Sequence, residues 1–129
     1  MKKEIKLFLD DLRDIPEGFT TARTVEEAIY YLENFHVEIL SLDHDLGEDE
    51  KGDLLPTGYD LVKYICEHDY KIKYIFIHTD NPVGRENMYQ TLIGAQRRGF
   101  IDSDIKIYDY PFIKNKYTEG WGEHNERPK

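Results

Sequence analysis

Three short apolar runs in this chain each break off into carboxylates: IKLFL at 5–9 into Asp10-Asp11, VEILSL at 37–42 into Asp43-His44-Asp45, and KYIFI at 73–77 into His78-Thr79-Asp80. Runs this short and this apolar suit strands buried on both faces, and strands of that kind belong to parallel sheets. Segments with helical spacing lie between them. Thr24 with Glu27 forms a capping box ahead of Val25, Ala28, Ile29, Leu32 and Phe35. Thr57 with Asp60 repeats the pattern ahead of Leu61, Val62, Ile65 and Cys66. Asn81-Pro82 supplies a cap and a first-turn proline ahead of Met88, Leu92 and Ala95, with Gly99 closing that helix. Shorter strands are predicted at Phe19–Ala22 and Ile105–Tyr108.

Strands alternating with helices in this order predict an α/β fold, a doubly wound parallel sheet. Such sheets bind ligands at the carboxyl ends of their strands. The three acidic strand ends therefore converge on one place. One link is abnormal, because the stretch between Leu9 and Phe19 is too short for a helical crossover, yet a parallel neighbour requires the chain to return. About nine extended residues reach roughly 30 Å, enough to retrace a strand of roughly 17 Å. Residues 12–18 are thus predicted to cross back extended or in a single turn. The chain of 129 residues reads as one domain over 1–112, followed by a tail, 113–129, without periodicity.

A net charge of −9 opposes non-specific binding to duplex nucleic acid, whose affinity comes from many cation–phosphate contacts. It leaves room for one small phosphorylated ligand. No apolar run approaches the roughly 20 residues of a membrane span, and the start MKKEIKLFLD lacks the apolar core of a secretory signal. The single cysteine, Cys66, excludes an internal disulfide and a cysteine-based zinc cage. These features predict a cytoplasmic protein with no membrane partner.

Asp10, Asp11 and Asp43 are candidate oxygen ligands for a divalent cation, Mg²⁺ or Mn²⁺, since clustered carboxylates need a cation or a proton to offset them. Asp45 joins that set, orients His44, or points outward into solvent. Imidazole titrates near neutrality, so His44 and His78 are candidates to move protons in phosphodiester hydrolysis, or to ligate a softer metal such as Zn²⁺ or Mn²⁺. A single histidine at a strand end would more simply bond to backbone; two beside one acidic cluster point to chemistry. The turn Asn81-Pro82-Val83-Gly84-Arg85 reads as a phosphate cradle: helix N–H groups, a glycine for close approach, and an arginine for two oxygens. Arg13 either clamps the same phosphate or pairs with Asp14. His36, His68 and His124 read as surface residues, Tyr30, Tyr31, Tyr64 and Tyr89 as helix packing, and Trp121, in the tail, as the aromatic residue to test for base stacking.

This order of elements resembles a response-regulator receiver domain, the flavodoxin-like five-stranded sheet of order 2-1-3-4-5, over roughly residues 5–112. LFLDD, TARTVEEAIYYL and LSLDHDLG resemble its first strand with the acidic pair, its second strand and helix, and its acceptor strand. On that resemblance Asp43 takes the phosphoacceptor position and Thr79 the hydroxyl after the fourth strand, a substrate contact. Tyr110-Pro111-Phe112 stands where a receiver has Lys-Pro-Phe, so the lysine is missing, and the first and last helices are reduced or absent. LDDLRDIP, SLDHDLG and HTDNPVGR are further similar to the LDDxRxxP, SLDHDLG and His-x-x-Asn-Pro-x-Gly-Arg patterns of the cyclic-phosphate processing receiver-like family. That resemblance implies a receiver-derived enzyme acting on cyclic phosphate ends or nucleotides, in RNA repair or nucleotide signalling.

The residues and the resemblance together predict a metal-dependent phosphoesterase. Its substrate would be a small phosphorylated nucleotide or a cyclic-phosphate RNA end. Two other readings use the same residues. One is a non-catalytic module that senses a nucleotide or docks a protein partner; the other is a receiver phosphorylated on Asp43, which the missing lysine disfavours.

Overall fold

The computed structural model describes residues 2–11, 15–68 and 70–112. Five strands, β1 (Glu4–Leu9), β2 (Thr20–Ala22), β3 (His36–Leu42), β4 (Tyr74–Ile77) and β5 (Lys106–Tyr108), form one sheet in the order β2-β1-β3-β4-β5. Every pairing is parallel. Helices α1 (Val25–Asn34), α2 (Gly58–His68) and α3 (Pro82–Arg97) follow β2, β3 and β4. Each strand starts within one residue of the apolar run that predicts it.

The register sorts the side chains by face. Leu7, Leu40, Ile75 and Ile107 form one row and Leu9, Leu42 and Ile77 the next. All three helices pack on this face, α1 through Val25, Ala28 and Leu32, α2 through Leu61, Val62 and Ile65, and α3 through Met88, Leu92 and Ala95. On the opposite face the register aligns Phe8, Ser41, Phe76 and Tyr108. Phe8, Phe19, Ile39 and Phe76 form a second cluster there, joined by Tyr74, Tyr108, Tyr110 and Phe112. Among the described residues no helix lies between β1 and β2 or after β5, which is why the helices share a face and aromatic rings carry the packing on the other.

The return from β1 to β2 shows a turn in which the Phe19 N–H donates to the Pro16 carbonyl at 3.2 Å; residues 12–14, with the predicted Arg13 and Asp14 contacts, lie outside the described residues. The tail at 113–129, including Trp121 and His124, lies outside them too.

Local chemistry starts each helix where the site needs it. Thr24 accepts from the Glu27 N–H at 3.2 Å. The Glu27 carboxylate accepts from the Arg23 N–H at 2.8 Å, one residue earlier than the predicted capping box. At α2 the Asp60 carboxylate accepts from the Thr57 N–H at 2.8 Å. That bond, helped by Lys63 and opposed by partial burial, holds the Asp60 carboxyl below its ordinary range. Gly58 lets α2 abut the end of β3: a Cβ there would lie 1.9 Å from the Asp43 carbonyl oxygen. The Gly58 N–H donates to the His44 carbonyl at 2.8 Å.

Candidate functional site

The ladder hydrogen bonds continue one residue past three strand ends. Asp10 N–H donates to the Ala22 carbonyl, Asp43 N–H to the Leu9 carbonyl and His78 N–H to the Leu42 carbonyl, at 3.0, 3.0 and 2.8 Å. Strand alternation therefore carries on past the last paired residue. Asp10, Asp43 and His78 each stand two residues beyond Phe8, Ser41 and Phe76, so their side chains continue the aromatic face. They converge: each offers a ligand atom, and these atoms all lie within 4.8 Å of one another. Two carboxylates and an imidazole make a donor set that could hold a divalent ion.

His78 is fixed on three sides. Its Nε2 lies 3.0 Å from Asp10 Oδ2, with both side chains 1% exposed. Its Nδ1 lies 2.7 Å from the Ser41 hydroxyl, which is fully buried. The ring stacks on Phe8 at 4.3 Å between centroids and 5° between planes. A hydroxyl can donate or accept, so Ser41 accommodates either neutral tautomer of His78. With the proton on Nε2 the imidazole donates to Asp10; with the proton on Nδ1 it donates to Ser41 and leaves Nε2 as a metal-ligating lone pair. The donor set thus fits an ion.

His44 occupies a different environment. Its Nδ1 lies 2.8 Å from Asp45 Oδ1, and an ionised carboxylate only accepts, so the ring carries its proton on Nδ1. Nε2 then holds the lone pair and has no hydrogen-bond partner among the described residues. The ring is a half-buried base oriented by a carboxylate, an arrangement that recurs wherever imidazole takes a proton from a nucleophile. The His44 N–H donates to Asp43 Oδ1 at 2.8 Å, which ties this pair to the converging Asp10, Asp43 and His78.

The other predicted residues are placed as follows. Asp45 sides with His44 and is not one of the converging ligands, and Asp11, whose Oδ2 comes within 2.9 Å of where a Gly47 Cβ would stand, is also outside that group. Its strand phase is opposite to that of Asp10. Thr79 is buried, and its hydroxyl accepts from the Asn81 N–H at 3.1 Å. Asn81 caps α3 by accepting from the Gly84 N–H at 3.0 Å. Arg85 follows in the first turn, half-buried. Tyr110, at the position of the receiver lysine, packs its ring 6.3 Å from Phe76 and 5.2 Å from Tyr108, in the aromatic cluster.

Sequence reading missed two residues. Ser41 lies inside an apolar run, and only strand phase links it to Asp43. Arg23 follows β2, a strand end without acid, and its Nη1 donates to the Asp10 carbonyl at 2.9 Å, which brings a cation to the same edge of the sheet.

A family model described as the cyclic-phosphate processing receiver domain matches residues 5–94, from β1 into the last turns of α3. The match spans all three acidic strand ends and the Asn81–Arg85 turn. No curated protein matches the chain.

Proposed function

The chain belongs to the cyclic-phosphate processing receiver domain family, and from that premise we propose that it is a metal-dependent phosphoesterase opening a cyclic phosphate on a nucleotide or an RNA end. The observation that carries the reading is the juxtaposition of two unlike histidines. His78 is locked among Asp10, Ser41 and Phe8, while His44 is oriented by Asp45 and its Nε2 has no hydrogen-bond partner among the described residues.

Asp10, Asp43 and His78 would hold the ion, and the nitrogen in the set favours Mn²⁺ over Mg²⁺. When bound, such an ion polarises phosphoryl oxygen and lowers the pKa of water. His44 Nε2 accepts a proton from the attacking water as the water oxygen forms the new P–O bond. One ester P–O bond of the ring breaks, its electron pair stays on the ribose oxygen, and solvent returns a proton there. Asp45 holds the His44 proton on Nδ1 throughout and stabilises the imidazolium. Among the described residues, Arg85 and Arg23 are candidate cations for the non-bridging oxygens. Among the described residues no helix is long and apolar enough to cross a membrane.

The test is turnover of 2′,3′-cyclic nucleotides and 2′,3′-cyclic-phosphate-ended RNA in Mn²⁺, Mg²⁺ or EDTA, with wild type beside His44→Gln. Metal-dependent ring opening, lost in the variant, is the expected result. Saturable binding of one compound without turnover would overturn the enzyme reading in favour of a sensor module.

A further inference from the structure

Sequence alone suggests that Asn81–Arg85 cradles phosphate with the free N–H groups of a helix start. Those N–H groups are largely spent. Pro82 has none, Gly84 donates to the Asn81 side chain at 3.0 Å, and Arg85 donates to the Asn81 carbonyl at 2.9 Å. Among the first helical residues only the Val83 N–H is left.

We propose instead that Asn81 and Gly84 are positioning residues for the His44–Asp45 pair, an inference that rests on reading His44 as the proton acceptor. Two independent contacts converge on that pair. Gly84 is buried against the imidazole: a Cβ there would meet His44 Cγ at 2.5 Å, Cδ2 at 2.6 Å and Nδ1 at 3.0 Å. Any other residue would push the ring away, so the glycine serves the histidine. From the other side, Asn81 Nδ2 donates to Asp45 Oδ2 at 3.3 Å, on the carboxylate whose Oδ1 bonds His44. A single amide therefore caps α3 with its oxygen and braces Asp45 with its nitrogen. Backbone of α3 sets the ring plane, and the cap sets the carboxylate that fixes its tautomer.

Asn81→Asp and Gly84→Ala separate this role from a phosphate cradle. Aspartate keeps the acceptor that caps the helix, so the fold is retained, but it cannot donate to Asp45. Alanine intrudes directly on the ring. The readouts are ¹⁵N NMR of the His44 side chain, affinity for inorganic phosphate, and kcat and KM on the cyclic substrate. We expect a fixed Nδ1–H signature in wild type and averaged ring nitrogens in both variants. Phosphate affinity and KM are unchanged, and kcat falls by about a hundredfold or more, the usual worth of a placed base. An unaltered His44 signature in Asn81→Asp, or weakened phosphate binding with His44 still ordered, overturns the proposal. The NMR result decides the positioning role even if wild type turns nothing over, in which case the phosphoesterase reading fails alone.

Discussion

Replacing Ser41 by alanine removes one oxygen from a site with no solvent to replace it. The hydroxyl is fully buried and 2.7 Å from His78 Nδ1, and the Asp10–His78 pair beside it is 1% exposed. Whichever tautomer His78 adopts, its buried Nδ1 loses the hydrogen bond to Ser41, and removing one partner of a buried bond costs about 1–3 kcal/mol. The volume lost is one oxygen atom, so the cavity adds little. With a urea m-value of about 2 kcal/mol/M for a domain of this size, the midpoint should drop by about 0.5–1.5 M. The assay is equilibrium urea unfolding in EDTA, which removes any linkage to bound metal. A double-mutant cycle with His78→Phe, which keeps the aromatic stack on Phe8, should return a coupling of about 1 kcal/mol. An unchanged midpoint, or a coupling near zero, would refute the view that this hydrogen bond holds the imidazole.

Mn²⁺ at a hundredfold excess over its Kd should stabilise wild type by about 2.7 kcal/mol, read as a rise in Tm. Asp10→Asn and Asp43→Asn should abolish that rise, whereas Asp11→Asn and Asp45→Asn should retain it, since neither carboxylate belongs to the converging group. Gly58→Ala should cost more than the usual overpacking range of about 1–3 kcal/mol, because the intruded atom is backbone, the Asp43 carbonyl oxygen at 1.9 Å; chemical denaturation measures it. The depressed Asp60 carboxyl makes a contribution fully present above its unfolded pKa of about 3.9 and lost as pH falls through the lower folded value. Asp60→Asn should therefore flatten the acid arm of the stability–pH curve, followed by thermal melts between pH 2 and 5.

The elements and their order were legible because apolar runs and capping residues are local signals. Thr24, Thr57 and Asn81 each start a helix where the chain reads that way. What local reading could not supply was direction. Asp10 and Asp11 are equivalent as letters, and so are Asp43 and Asp45, yet one of each pair joins the converging ligands and the other does not. The same limit hid the two uses of the Asn81 amide, since a cap residue advertises its oxygen but not the partner of its nitrogen. Arg23 was invisible because its contact is with a backbone carbonyl thirteen residues away in sequence.

Strand phase supplies much of the missing direction. Phe8, Ser41 and Phe76 share a face by register, and adding two residues to each yields Asp10, Asp43 and His78. Adding three yields Asp11, His44 and Thr79, none of which joins the converging ligands. The face in question is the one without described helices, where a row of rings lies directly below the ligands and Phe8 stacks on His78 itself. Aromatic packing there is continuous with the floor of the site. A substitution at Phe8 is consequently a change to the orientation of His78 as much as to the core, and Phe8→Leu, which keeps apolar burial but removes the flat surface, should loosen the imidazole while leaving the helix-bearing face intact.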